Sequence, residues 1–371
     1  MPNIMTKTEP PRKPENMPLK KGWTTGACAA AAASAAWRAL KTGGFEETVR
    51  ISLPRGETPT FPLATQVLSS DFACAGVVKD AGDDPDVTHG LEIIADVQKG
   101  RKGTGITFAA GEGVGTVTLK GLPLPVGEPA INPGPRQQIT DAINAAAHAL
   151  DLSPPDVRVT LSIPGGREVA KKTMNGRLGI EGGLSVLGTT GIVVPYSCSS
   201  WIHAIHRGVD VARAQNLNHV LATTGRTSEQ AANGELNMPP AALIDMGDFA
   251  GGLLKYLRTH PVSHLTIAGG VAKLAKLSQG AMDLHSARSS VDFENLAGLL
   301  ARLGCGRDTV AEVRTANTVQ RVMELAEGSA PELAHLIARQ AREVAMATLA
   351  GGTEVTVWVY DRSGTRVGTS T

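Results

Sequence analysis

From Ile180 onward, short apolar runs alternate with stretches of helical periodicity, and this alternation constrains the fold more than any other feature. Parallel strands need a crossover between them, which is usually a helix, so the pattern predicts a parallel sheet with helices on its faces. Strands are expected at residues 183–187, 219–223, 242–246, 265–268 and 355–360, and helices at 311–325 and 330–349. The first four strands each end in a glycine-containing turn, at Gly188, Gly225, Gly247 and Gly269-Gly270. Ligands of such sheets collect beyond the carboxyl ends of the strands. The four turns are therefore expected to converge on one site.

Two of these turns echo each other. An apolar run leads into Gly188-Thr189-Thr190-Gly191, with a helix expected over 202–214 behind it, and a second run leads into Thr223-Thr224-Gly225. Backbone N–H groups in such turns can approach an anion or a cofactor closely. An ordinary strand-to-helix turn uses the same residues, because glycine is a common turn former. Neither turn carries a GxGxxG fingerprint, and no GxxxxGK[ST] occurs, which disfavours hydride transfer and P-loop nucleotide hydrolysis. Asp245 and Asp248 flank the third turn, where they suit ribose hydroxyls or a cation.

The chain before Ile180 reads differently. The full 371 residues exceed what one core usually serves, so two domains are expected: an N-terminal α+β domain over 19–180 and a C-terminal Rossmann-like alternating α/β domain over 181–371. Residues 1–18, with Pro10, Pro11, Pro14 and Pro18, read as a disordered leader without the apolar stretch of a secretory signal. Thr24-Thr25-Gly26 opens an alanine-dominated helix over 27–40 that ends at Gly43-Gly44. The threonines suit capping of that helix, and its N-terminus also suits a carboxylate or phosphate. Strands are expected at 47–53, 60–69, 72–79, 91–97, 115–118 and 157–163, with a helix at 137–150.

The loop from Lys79 to Gly90 carries Asp80, Asp83, Asp84, Asp86 and His89. A calcium loop is one reading, although no glutamate closes the EF-hand spacing. A solvated acidic turn is another, and carboxylates placed for proton transfer or for a cationic ligand are a third. Arg136, Arg167, Lys171, Lys172 and Arg177 supply basic groups suited to a carboxylate-rich substrate, or to solvent. His203 and His206 stand three apart without a third ligand, which favours a helix face over a metal.

Composition removes several function classes. The net charge is +1 and aromatics make up only 4%, so neither a nucleic-acid surface nor an anionic membrane surface is indicated. The four cysteines form no CxxC pair, no apolar run reaches the length of a membrane span, and a cytoplasmic protein is expected. A homodimer is compatible with the charge balance and is not required by it.

Taken in order, six stretches resemble one family, the CbiD cobalt-precorrin-5B C1-methyltransferases of cobalamin biosynthesis. They are the run from Gly22 to Ala30, the run from Lys79 to Gly90, Ala130-Ile131-Asn132-Pro133, Ala170 to Thr173 with Asn175 to Gly179, Leu187 to Pro195, and Thr223-Thr224-Gly225. Ala27 stands where the family usually has threonine, and Val194 where a charged residue is frequent. The resemblance implies methyl transfer from S-adenosylmethionine to C1 of cobalt-precorrin-5B, giving cobalt-precorrin-6A, with cobalt present only as part of the tetrapyrrole substrate. On that basis Gly188, Thr189, Thr190, Gly191, Thr223, Thr224 and Gly225 are expected at the methyl donor. Thr24, Thr25, Asn132, Arg136, Lys171 and Arg177 are expected at the macrocycle, and Asp83, Asp84, Asp86 and His89 as acid–base candidates. The alternative is a corrinoid-binding protein that performs no chemistry.

Overall fold

The computed structural model describes residues 18–371; the expected leader, apart from Pro18, lies outside them. The chain forms two compact units, and neither is one continuous stretch. The first unit comprises Met1–Thr107, Gly134–Val159 and Leu187–Ser197; the second comprises Phe108–Pro133, Thr160–Val186 and Cys198–Thr371. The single boundary expected near residue 180 is thus replaced by repeated passages of the chain between units.

In the first unit, β1 (Gly22–Trp23) leads into α1 (Thr25–Thr42), followed by β2 (Thr48–Arg50), β3 (Thr60–Pro62), β4 (Thr65–Leu68), β5 (Phe72–Val78) and β6 (Glu92–Lys99). Thr24 caps α1, its Oγ1 accepting the Ala27 N–H at 3.2 Å, and Gly43 ends it in the left-handed region. β5 and β6 pair antiparallel, and Ala73, Ala75 and Val77 stand opposite Val97, Ala95 and Ile93. All six are buried, as is nearly every alanine of α1. Alternate residues of a strand share one face, so this row of mostly small side chains lets α1 lie close against β5 and β6. The sheet is completed by β7 (Ile106–Ala110) and β9 (Val157–Ser162), in the order β4-β5-β6-β9-β7, and the unit boundary falls within both. β7 was not expected. The helix α2 (Pro133–His148) begins four residues before its expected start and is tied to α1 by Ser34 Oγ, which donates to Ala142 O at 3.3 Å.

The second unit holds β8 (Thr116–Val117), α3 (Gly166–Ala170) and β10 (Ile180–Glu181), with β8 and β10 paired antiparallel. Residues 183–187 were expected as a sheet strand. They form only isolated bridges, Leu184 with Val114 and Val186 with Ile131. The strand β11 (Ile192–Val193) that follows pairs with β1 in the first unit. The helix α4 (Ser199–Ala214) begins at Ser199, three residues ahead of expectation.

Beyond α4 the predicted alternation is present: β12 (His219–Thr223), α5 (Arg226–Leu236), β13 (Leu243–Asp245), α6 (Ala250–Leu257), β14 (His264–Gly270) and α7 (Val271–Ser278). Then come α8 (Phe293–Arg302), α9 (Arg307–Arg314), α10 (Val319–Ala326), α11 (Ala330–Leu349), β15 (Glu354–Tyr360) and β16 (Arg366–Thr369). The sheet order is β13-β12-β14-β15-β16, parallel except for the edge strand β16. The single helix expected over 311–325 is broken between α9 and α10, where Thr318 Oγ1 caps α10 by accepting the Arg321 N–H at 3.2 Å. One apolar core, including Val220, Ile267, Leu299, Ile337 and Val357, fills the unit. Strand order reverses between β12 and β14, so a switch point opens beyond Thr223 and Gly270.

Candidate functional site

The Gly188–Gly191 turn belongs to the first unit rather than to the alternating sheet it was expected to serve. Its oxygens are taken by the protein itself. Gly26 donates its N–H to Leu187 O and Thr24 to Gly191 O, each at 2.9 Å. Gln138 Nε2 donates to Gly188 O at 2.7 Å and to Thr189 O at 3.3 Å, while Thr190 Oγ1 donates to Ile192 O at 3.2 Å. Gly188 sits at φ +119°, where an added Cβ would stand 2.3 Å from the Thr24 side chain. Only glycine permits that approach. The turn therefore seals the N-terminus of α1, beside the buried Thr25, and occupies N–H groups that would otherwise face an anion.

The aspartate-rich loop is an internal hydrogen-bond network. Lys79 is buried, and its ammonium pairs with Asp86 Oδ2 and donates to Thr88 Oγ1 at 2.5 Å. Asp86 Oδ1 accepts from Thr88 N at 2.8 Å and Thr88 Oγ1 at 2.6 Å. Burial pushes the Asp86 carboxyl up, but the Lys79 charge and these hydrogen bonds outweigh it, so the group stays below the usual carboxylate range. Asp80 is also held low, by a hydrogen bond from Lys20 and another from the Gly82 N–H. Asp83 Oδ2 accepts the Lys20 N–H at 2.7 Å, and Asp84 Oδ1 accepts the Tyr196 N–H at 2.8 Å. His89 is half exposed, and its Nδ1 accepts the Ala81 N–H at 3.1 Å. With Nδ1 an acceptor, the neutral ring carries its proton on Nε2. Arg136 lies on α2 in this unit.

In the second unit the carboxyl ends of β12, β13 and β14 assemble charged groups around the switch point. Thr223 and Thr224 are buried. Arg177 forms a bidentate pair with Glu229, at 2.7 and 2.6 Å, and Thr223 Oγ1 donates to Glu229 Oε2 at 3.4 Å. Lys273 Nζ donates to Thr224 O at 2.6 Å and stands 3.1 Å from Asp248 Oδ1, a buried oxygen that makes no well-aligned hydrogen bond. Burial and the nearby Glu229 charge push the Asp245 carboxyl up. Three carboxylates thus face two cations, and open space adjoins both Gly225 and Gly270 where a Cβ would point. A surplus of carboxylates over cations beside open space suits a ligand carrying hydroxyls and positive charge. Trp201, half exposed, donates Nε1–H to Asp245 O at 3.0 Å and lines Gly247.

The sequence-predicted residues therefore fall into two sets. Thr24, Thr25, Asp83, Asp84, Asp86, His89, Arg136 and Gly188 to Gly191 share the first unit; Asn132, Lys171, Arg177, Thr223, Thr224 and Gly225 share the second. Asn132 donates its N–H to Val186 O at 3.1 Å, and Lys171 pairs with Glu168 in solvent. His206 serves a helix face: its Nε2 lies 3.2 Å from Gly252 O and its ring stacks on Tyr256 at 4.0 Å. Sequence reasoning missed Lys79, Glu229, Lys273 and Tyr196. Lys79 had a signal, a lone charge closing the apolar run from Phe72 to Val78; the others had none beyond proximity to the turns.

Comparison with known proteins covers nearly the whole chain. Residues 12–195 match the CbiD family and residues 283–371 match the family CbiD, C-terminal domain. A cobalt-precorrin-5B C(1)-methyltransferase of Brucella canis is 55% identical over 354 residues, covering 95% of this chain and 96% of the relative. The enzyme of the same name from Brucella melitensis biotype 2 is 55% identical over 355 residues, with the same coverage. A 1.9 Å crystal structure of the cobalamin biosynthesis protein CbiD from Archaeoglobus fulgidus is 31% identical, with a TM-score of 0.39, covering 68% of this chain and 77% of that one. The six ordered stretches and these matches agree: the chain belongs to the CbiD family.

Proposed function

We propose that this chain is an S-adenosylmethionine-dependent C-methyltransferase that methylates C1 of cobalt-precorrin-5B to give cobalt-precorrin-6A in anaerobic-type cobalamin biosynthesis. The single observation that carries the reading is 55% identity, over 95% of the chain, to relatives bearing that activity as their name. Cytoplasmic action fits a biosynthetic enzyme with free cysteines, none of whose helices, among the described residues, is long and apolar enough to cross a membrane.

The second unit's switch point is the site we assign to the methyl donor. Asp245 and Asp248 offer oxygens to ribose hydroxyls, their surplus negative charge suits a sulfonium, and Gly225 and Gly270 leave room for the ligand. Glu229 and Arg177 satisfy each other and hold the Thr223 hydroxyl in place. S-adenosylmethionine, when bound, supplies an electrophilic methyl group. In-line displacement at carbon asks the protein chiefly for placement, so rigid strand ends are the appropriate support.

The first unit, which holds the aspartate-rich loop, is assigned to the macrocycle. Asp86 is held ionised by Lys79, and a strongly acidic carboxyl is a weak base at neutral pH. Proton handling therefore falls to His89, while Asp83, Asp84 and Asp86 position the loop.

The test is calorimetric titration with S-adenosylhomocysteine, using ATP and NADH as controls, followed by labelled-methyl transfer to cobalt-precorrin-5B. Selective binding that Asp245→Ala weakens supports both the activity and the site. Binding of a stable corrinoid with neither S-adenosylhomocysteine binding nor methyl transfer would instead establish the carrier reading.

A further inference from the structure

We infer that Tyr196 is a substrate-contact residue: its ring forms an exposed aromatic face against which the conjugated macrocycle rests, and Asp84 positions it. The inference deepens the proposed function and rests on it.

Tyr196 stands where its backbone does not favour it. Ser197 N–H donates to Val194 O at 3.1 Å, closing a β-turn with Pro195 and Tyr196 at its centre. Pro195 suits the first central position; the second has φ +57°, a conformation for which turns ordinarily recruit glycine or asparagine. A bulky aromatic there is an outlier, and outliers persist where the surroundings hold them and a function uses them. The holding group is visible. Asp84 Oδ1, from the aspartate-rich loop, accepts the Tyr196 N–H at 2.8 Å.

The ring itself is not needed by the core. Tyr196 is 65% exposed, whereas Tyr360 is buried and Tyr256 is stacked between His206 and His260. The Tyr196 side chain makes no hydrogen bond, ion pair or ring contact among the described residues. Val194 and Leu187 on the same short segment are also exposed, at 52% and 50%. The segment is anchored by β11, by Gln138 and by Thr24. A strained, anchored turn thus presents one aromatic and two aliphatic side chains to solvent. A flat conjugated ring with apolar faces and a carboxylate-bearing rim is the ligand class that such a surface fits, because stacking on an aromatic face requires no particular polar pattern.

Strain and recognition make opposite predictions for one substitution, which gives the test. Tyr196→Gly relieves the positive φ and removes the ring. The full-length protein and its variants are titrated with cobyrinic acid and, separately, with S-adenosylhomocysteine, and their melting temperatures are measured. We expect Tyr196→Gly to melt no lower than the parent and to bind cobyrinic acid about tenfold more weakly, the scale of one lost stacking contact. Binding of S-adenosylhomocysteine should be unchanged. Tyr196→Phe should retain corrinoid binding. Asp84→Asn, which keeps the accepting oxygen, should resemble the parent, and Asp84→Ala should weaken corrinoid binding. Parent-like cobyrinic acid binding by Tyr196→Gly overturns the inference while leaving the proposed activity intact. Failure of the unaltered protein to bind cobyrinic acid or to transfer a methyl group overturns the proposed activity, and the inference with it.

Discussion

Replacing Lys79 by methionine isolates the contribution of the buried ion pair that supports the aspartate-rich loop. Methionine keeps the unbranched stem and removes the ammonium, so packing is largely conserved. Asp86 then retains its two hydrogen bonds from Thr88 but loses its counter-charge. Removing one member of a buried pair costs about 3–5 kcal/mol, most of it the stranded charge. The Asp86 side chain keeps 23% of its exposure, so the lower end, about 3 kcal/mol, is expected. For a unit of roughly this size that lowers the melting temperature by about 6–12 °C, read by differential scanning calorimetry. Charge is the proposed cause, which fixes the pH dependence. In the parent, Asp86 has a depressed pKa, so its contribution is present above the ordinary carboxylate range and is lost as pH falls through the depressed value. In the variant, burial without Lys79 pushes the same carboxyl up, and it takes a proton on modest acidification. The gap between parent and variant should therefore be widest near neutrality and narrow toward about pH 4. Lys79→Met/Asp86→Asn should melt above Lys79→Met at neutral pH, because the stranded charge is gone. A Lys79→Met protein melting within about 1 °C of the parent, or a gap that ignores pH, would refute the reasoning.

Two further outcomes follow from the second unit. Arg177→Lys loses the fork that binds Glu229 through two parallel hydrogen bonds, so melting should fall by a few degrees, corresponding to about 1–2 kcal/mol, while Glu229→Gln should show a comparable loss. Burial lowers the pKa of His206, more than the Gly252 carbonyl bond restores it, so the unfolded chain binds the proton more readily. Stability should decline as pH falls below about 6.5, and His206→Gln should flatten that decline in melting curves taken between pH 7.5 and 5.5; an identical slope in parent and variant would exclude His206 as a source.

How far the sequence could be read depends on which properties are local. Strands β12 and β14 are buried along almost their whole length, so their largely apolar runs stand out in the sequence. The helix α11 spans the expected 330–349, bounded by Pro331 at its start and Gly351-Gly352 past its end. The two Thr-Thr-Gly-type turns look alike locally, yet one follows a strand with two parallel neighbours and the other follows isolated bridges and enters a short antiparallel pair with β1. What separates them is a partner more than 150 residues away along the chain, which no local window contains. The same limit governs the charges. Arg177 reads as a base available to a substrate until Glu229, 52 positions later, accepts from both of its terminal nitrogens, Nη1 and Nη2. Lys79 closes a strand in the sequence, and only burial and the pairing with Asp86 give it an internal role. Residue type and spacing thus identify which chemistry a chain can perform. Whether a given cation or carboxylate is open to a ligand depends on which internal partner reaches it first, and in this chain Arg177, Asp86 and the α1 terminus each meet a partner within the protein.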